Sequence, residues 1–148
     1  MSYTNLFYHI VFSTKDRRPV LSDELLPRVI HYIGGIVRQL RGQLLEGGGI
    51  EDHVHLAAIV HPASALADFI RTLKSNSTGW VHTTFPDKAD FGWQDGYAAF
   101  TVSSSVLPKV KHYIRSQKEH HKEMSFTEEL IALLQKHGVE YDERYIGV

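Results

Sequence analysis

Two histidines separated by one residue lie at the start of an apolar run, in the segment Asp52-His53-Val54-His55-Leu56. The apolar run predicts a strand, on which alternate side chains point to opposite faces. Both imidazoles therefore share one face, while Val54 and Leu56 face a core. Paired imidazoles on a rigid strand can bind a divalent metal ion. They are only two ligands, so the rest of the site must come from elsewhere in the chain.

A second group of polar side chains lies on a predicted helix near the C-terminal end. Tyr113 and Gln117 are four residues apart, which places them one turn apart on the same helical face. His120 and His121 continue near that face one turn later. This helix is also rich in positive charge, from Lys109, Lys111, Arg115 and Lys118.

The composition excludes several classes of site. The chain has no cysteine, so disulfides, thiolate zinc sites and cysteine nucleophiles are excluded. With 148 residues, of which 43% are hydrophobic, it fits one domain with a substantial core. A net charge of -1 argues against a polycationic nucleic-acid coat but permits a local basic groove. Neither a signal peptide nor a membrane span is apparent, so we expect a cytoplasmic protein of a microbe.

The spacing of apolar residues and turn signals predicts the order β-α-β-β-α-β-α-α within a single domain, residues 1–148. Strands are predicted at about 6–12, 43–46, 53–60 and 97–102. Helices are predicted after Ser22 and Ser64, and at about 106–121 and 127–137. Gly47 to Gly49 is interpreted as a hairpin connection or a bulge. This order predicts an α+β fold, a ferredoxin-like or RRM-like split β-α-β arrangement. Its four-stranded antiparallel sheet has helices packed on one face, with further C-terminal helices.

The combination of a His-hydrophobic-His strand with a later Tyr-x-x-x-Gln helix resembles the single-tyrosine HUH transposases. These are the IS200-like insertion-sequence enzymes and their relatives associated with repetitive extragenic palindromes. The resemblance extends over nearly the whole chain. It includes the first strand and basic turn at 8–21, Leu73-Lys74-Ser75, and the segment 91–97. The joint order and spacing of these segments carry the resemblance, since none is specific alone.

The resemblance implies roles for four residues: His53, His55 and Gln117 as metal ligands, and Tyr113 as the nucleophile. The implied cofactor is Mg²⁺ or Mn²⁺, without a nucleotide. The implied reaction cleaves and rejoins single-stranded DNA at hairpin-flanked sites by metal-assisted transesterification, through a 5′-phosphotyrosine intermediate. Members of the family usually act as homodimers in which the tyrosine helix completes the partner's site. Such an enzyme would be associated with the nucleoid.

Other polar residues are candidates for supporting roles. Asp52, His120 and His121 are placed to support the metal ligands, although the last two could equally stabilise a helix C-terminus as cations. Contacts with DNA are expected from basic side chains on the first turn, the second helix and the third helix. These are Arg17, Arg18, Arg71, Lys74, Lys111 and Arg115. A solvated turn or helix face is the alternative explanation for each of them.

Two other functions remain open from the sequence. One is a metal-dependent phosphodiesterase that uses water as its nucleophile, with Tyr113 as a bystander. The other is a non-catalytic nucleic-acid-binding module on a similar sheet, although the chain lacks the aromatic sheet motif of common RNA-recognition domains.

Overall fold

The computed structural model describes residues 1–146 and contains one four-stranded antiparallel sheet. Its strands are β1 (Phe7–Ser13), β2 (Gln43–Ile50), β3 (His53–Ile59) and β4 (Ala98–Val102), in the order β2-β3-β1-β4. The helices are α1 (Leu25–Gln39), α2 (Leu66–Thr84), α3 (Leu107–Arg115), α4 (Gln117–His120) and α5 (Phe126–Lys136). This architecture confirms the predicted α+β fold. The predicted domain ends at 148, and its last two residues lie outside the described ones.

Helices α1 and α2 cover the face of the sheet opposite the two histidines. Val54 and Leu56 are fully buried there, as the alternation along β3 predicts. Val29 and Ile33 on α1 are also fully buried, one turn apart on the same helical face. The predicted capping residue Ser22 accepts a hydrogen bond from the Leu25 N–H at 3.1 Å. None of the helices within residues 1–146 is long and apolar enough to cross a lipid bilayer.

The C-terminal helices cover the second face, so helices pack on both faces rather than on one. Val11 of the central strand β1 and Phe100 of the edge strand β4 are apolar and face this side of the sheet. They must be buried by further elements. Leu133 of α5 packs against them. The first turn of α5 is fixed by a capping box between Ser125 and Glu128.

The glycines of the segment Gly47 to Gly49 lie inside β2, not in the hairpin connection. The turn falls at residues 51–52 instead, and the irregular register lies between Leu44 and Glu46. The prediction of a strand ending at 46 was therefore wrong. Glycine has a weak strand propensity, but continued pairing with β3 as far as Ile50 overrides it.

Two of these glycines allow helices to approach both faces of β2 closely. A Cβ atom on Gly48 would lie 2.2 Å from the carbonyl oxygen of Ile114 in α3. One on Gly47 would lie 2.5 Å from Cγ2 of Ile30 in α1. Gly48 is the cross-strand neighbour of His55, so the missing side chain sets how closely α3 approaches the histidine face.

The helix predicted at 106–121 is broken at Ser116, so the prediction of one continuous helix was wrong. Ser116 has φ -98° and ψ 21°, outside the regular helical range. Its N–H contacts the carbonyl oxygens of both His112 and Tyr113. Past this break the Gln117 side chain is buried against the sheet. The break therefore lies between two buried side chains, those of Ile114 and Gln117.

We predict that Gly48→Ala destabilises the fold by about 1–3 kcal/mol, because its methyl group must displace the backbone of α3. The matched control is Gly79→Ala. Gly79 is an exposed position within α2, and its Cβ would meet nothing within 4 Å. That change should stabilise the protein by about 0.4–1 kcal/mol. Urea unfolding followed by circular dichroism measures both, and equal stabilities for the two variants would contradict the close-approach argument.

Candidate active site

The two histidines of β3 converge on a carboxylate supplied by α5. His53 and His55 are fully buried on the face covered by the C-terminal helices. Their Nε2 atoms lie 3.3 and 2.9 Å from Oε1 of Glu129, which is itself buried. The three potential ligand atoms lie within 4.8 Å of one another, so these side chains could hold one metal ion.

The second oxygen of the Glu129 carboxylate faces the polar side chains of α3 and α4. The Tyr113 hydroxyl donates a hydrogen bond to Oε2. The Gln117 amide donates to the same oxygen at 2.8 Å, and its own Oε1 lies 2.9 Å from His53 Nε2. The strand and the tyrosine helix therefore meet within one chain, with Glu129 between them.

Each strand histidine has a partner on its outer nitrogen. Asp52 Oδ1 lies 2.7 Å from His53 Nδ1. Because a carboxylate only accepts, Nδ1 carries the hydrogen and Nε2 is the nitrogen that faces the site. Likewise, Nδ1 of His55 lies 2.8 Å from Nε2 of the buried His9. A hydrogen donated from His55 to His9 leaves the inner nitrogen of His55 free as a ligand.

His120 and His121 occupy different surroundings. His121 donates from Nδ1 to the Met124 carbonyl oxygen at 2.7 Å, and its Nε2 lies 3.1 Å from Glu129 Oε1. It therefore faces the same point as the strand histidines. The His120 ring instead lies 4.4 Å from the ring of Tyr113 and contacts the tyrosine side of the site.

The buried charges shift the ionisation of the site in opposite directions. Burial alone would lower the pKa of His53, but hydrogen bonds to Asp52, Glu129 and Gln117 raise it to about 9. Burial lowers the pKa of His55 to about 4 despite the neighbouring carboxylate. Burial also opposes ionisation of Glu129, yet the bonds from the histidines hold its pKa far below the usual range.

The arrangement fits a divalent cation on chemical grounds. Glu129 remains ionised in a buried environment, so a positive charge must accompany it. A proton on His53 supplies one such charge, and a metal ion in place of that proton supplies another. Two imidazoles, a carboxylate and an amide oxygen form a mixed nitrogen and oxygen ligand set of the type that first-row divalent ions accept.

Comparison with known proteins identifies the family. The sequence profile of the family described as IS200-like transposases matches residues 2–117. The chain belongs to the IS200-like transposase family. It is 29% identical over 119 residues to the ISDra2 transposase TnpA of Deinococcus radiodurans, covering 77% of this chain and 85% of that protein. It is also 30% identical over 128 residues to the IS200 transposase of Salmonella typhimurium, covering 80% of each.

Solved structures agree with this membership. A crystal structure from Deinococcus radiodurans R1, of a protein classed as a transposase, has a TM-score of 0.64 and 27% identity. The match covers 79% of this chain and 95% of that one. A REP-associated tyrosine transposase, solved bound to a REP hairpin, has a TM-score of 0.62. It is only 14% identical and covers 84% of this chain and 76% of its own, so it shows the shared fold.

Glu129 was missed by the sequence analysis, and it lies beyond the residues that the IS200-like profile matches. An acidic residue in the first turn of a helix is usually a solvated partner of the helix dipole. One signal was available, however. Phe126, Leu130 and Leu133 place position 129 on the inward face of α5, where a carboxylate requires a partner. His9 was also missed, although its alternation with Val11 predicts the covered face of β1.

Two of the residues predicted to contact DNA hold the fold of this IS200-like transposase together. The Arg17 guanidinium donates to the Thr127 hydroxyl and to the Ile146 carbonyl oxygen at 3.0 Å. It thereby connects the basic turn after β1 to α5. The Lys74 ammonium donates to the carbonyl oxygens of Gln94 and Gly96 at 2.6 and 2.8 Å. These contacts give both cations a structural explanation.

The other candidate cations are more accessible. Lys111 is half-buried on α3 and forms no salt bridge among residues 1–146. The three arginines are themselves exposed and form ion pairs at the surface, which contribute little to stability and can exchange for phosphates. They are Arg18 with Asp90, Arg71 with Asp68, and Arg115 with Glu46. Their contact with DNA stays a prediction.

We predict that Glu129→Gln weakens Mn²⁺ binding at least about tenfold, because it removes the anionic oxygen on which both strand histidines converge. The matched control is Glu123→Gln, at an exposed position outside the site. Electron paramagnetic resonance of free Mn²⁺ measures the affinity, with circular dichroism to verify folding. An unchanged affinity in Glu129→Gln would remove the carboxylate from the metal site.

We also predict that His9→Leu weakens Mn²⁺ binding by about 10- to 100-fold, because His55 Nδ1 loses its partner. Burial and the neighbouring His55 lower the pKa of His9 to about 3, so its neutral ring can accept that hydrogen. His9→Gln keeps an accepting oxygen and should recover part of the affinity. His31→Leu on α1 is the control. Equal affinities for the leucine and glutamine variants would exclude this orienting contact.

Proposed function

We propose that this transposase cleaves and rejoins single-stranded DNA at hairpin-flanked sites, with Tyr113 as its nucleophile. The observation that carries the proposal is the shared carboxylate of Glu129, which contacts the tyrosine hydroxyl with one oxygen and both strand imidazoles with the other. Membership in a transposase family supports a DNA-cleaving activity. The hairpin seen with the REP-associated neighbour supports the class of substrate.

In the proposed reaction, the Tyr113 oxygen forms a bond to the scissile phosphorus while the bond to the 3′ oxygen breaks. The products are a 5′-phosphotyrosine and a free 3′ hydroxyl. The phenolic proton moves to Oε2 of Glu129, which already accepts that hydrogen bond, and the departing 3′ oxygen takes a proton from solvent. Because one phosphate ester replaces another, rejoining requires no nucleotide cofactor.

The surroundings of Tyr113 explain why a proton acceptor is needed. Burial and the adjacent Glu129 raise the pKa of Tyr113 above its ordinary value, so the hydroxyl does not ionise by itself near neutral pH. A divalent ion, Mg²⁺ or Mn²⁺ in the cell, would orient the phosphate and offset its developing charge when bound. We propose that His53 and His55 hold it, with Glu129 and Gln117 as oxygen ligands.

The expected assembly is a homodimer, as the family resemblance implies. In the described chain, however, Tyr113 contacts Glu129 of its own subunit, and Gln117 contacts its own His53. We therefore propose that the chemistry can proceed within one chain and that exchange of the tyrosine helix between subunits is not required. With DNA as the proposed substrate, we propose that the protein associates with the microbial nucleoid.

We predict that Tyr113→Phe abolishes formation of a covalent protein–DNA adduct, a loss of roughly 10³-fold or more. The probe is a labelled single strand with a hairpin, taken from the DNA flanking this gene, incubated with Mn²⁺ and separated on a denaturing gel. Tyr3→Phe, at a highly exposed position, is the control and should retain the adduct.

The same experiment separates the alternatives. Cleaved DNA without an adduct, equal in the wild type and in Tyr113→Phe, would favour a phosphodiesterase that uses water. Binding of the hairpin without cleavage in Mg²⁺ or Mn²⁺ would favour a non-catalytic module. Either outcome would overturn the proposed nucleophile.

A further inference from the structure

A cavity of about 610 Å³ lies beside the tyrosine, between α3, the end of β4 and α5. We call it the α3–α5 cavity. Its walls are mostly apolar and include Val102, Val106, Val110 and Leu133. Tyr113 and Glu129 also line it. The cavity therefore borders the tyrosine that is the proposed nucleophile and the glutamate that accepts its hydrogen bond.

The charged groups of the α3–α5 cavity favour an anion. Lys109 on α3 and Lys136 on α5 both line it, are exposed, and form no salt bridge among residues 1–146. The carboxylate that lines the cavity is that of Glu129; one of its oxygens accepts from Tyr113 and the other faces His55. Two cations without acidic partners therefore remain available to a ligand.

Part of the apolar wall is exposed to solvent. Val106 is 42% exposed and Met124 is 38% exposed, and both line the cavity. An apolar surface bordered by cations matches a nucleotide, whose base has apolar faces and whose phosphate is anionic. Enzymes that bind an unstacked base commonly hold it between apolar side chains.

We propose that the α3–α5 cavity binds the nucleotide immediately 3′ of the cleaved bond, with its base on the apolar walls and the phosphate on its 3′ side near Lys109 and Lys136. This assignment rests on the proposed function. In an in-line displacement the attacking and leaving oxygens lie on opposite sides of phosphorus. The leaving nucleotide therefore departs away from Tyr113. The nucleotide that keeps the phosphate stays attached beside the tyrosine, where the cavity lies.

The test is a nuclear magnetic resonance titration of the full chain with the four deoxynucleoside 3′-monophosphates, which carry the phosphate assigned to the two lysines. Deoxynucleosides and inorganic phosphate are separate arms. We expect saturable shifts at cavity residues for the monophosphates, with at least about tenfold weaker binding of either part alone. If inorganic phosphate alone bound with the same affinity as the nucleotides, the cavity would be only an anion site and the proposal would be overturned.

Two variants locate the binding. Val106→Trp fills the cavity from an exposed position, so it should fold normally and weaken monophosphate binding at least about tenfold. Lys136→Glu should weaken the binding of monophosphates but not that of deoxynucleosides. Lys88→Glu, outside the cavity, is the control and should change neither. Unchanged nucleotide binding in Val106→Trp would overturn the assignment.

The outcomes remain distinguishable from those of the adduct experiment. An adduct on Tyr113 without nucleotide binding in the cavity would overturn this inference and leave the proposed function intact.

With a cleavable strand available, an abasic residue at the first position 3′ of the cleaved bond should slow wild-type cleavage about tenfold. The same abasic strand should cause little further loss in Val106→Trp, because both changes remove one contact. Additive losses would contradict the placement of that nucleotide.

Discussion

The rest of the structure depends on one buried carboxylate, that of Glu129. An ionised group away from water is costly unless its oxygens are paired, and here both are. One oxygen faces His53 and His55, and the other accepts from Tyr113 and Gln117. Pairing the Glu129 carboxylate therefore requires side chains from strand β3 and from helices α3, α4 and α5 at one point. Satisfying that requirement brings together residues that are distant in sequence.

The close packing of α3 on the sheet makes this pairing possible. A side chain at Gly48 would push away the backbone at Ile114, and with it the turn that carries Tyr113. The break at Ser116 then interrupts the helix just before Gln117, whose side chain contacts His53. The site thus depends on two local departures from regular structure, a glycine-rich strand and an interrupted helix. Both departures lower the propensity of these segments for regular secondary structure, and tertiary contacts compensate for that loss.

The sequence predicted the parts of the molecule that short-range periodicity controls. Alternation along β3 predicted which face carries the histidines, and the four-residue spacing predicted that Tyr113 and Gln117 share a side. It did not predict Glu129, because a carboxylate one turn into an amphipathic helix carries no local sign of its distant partners. The structural role of Arg17 was missed for the same reason. Its charge predicted a contact with DNA, whereas its hydrogen bonds to Thr127 and Ile146 connect segments more than a hundred residues apart in sequence.

A shared carboxylate also has a consequence for the reverse of the proposed reaction. When Tyr113 is joined to phosphate it has no hydrogen to donate, so Glu129 Oε2 loses that partner. Because the histidines hold the pKa of Glu129 far below its usual range, the carboxyl passes its proton on and is ionised again. Its Oε2 nevertheless stays beside the phenolic oxygen that must leave during rejoining. By microscopic reversibility, the group that accepts the proton in cleavage returns it in the reverse step. In the proposed reaction, one carboxylate therefore serves both cleavage and rejoining, and strand transfer requires both steps at the same tyrosine.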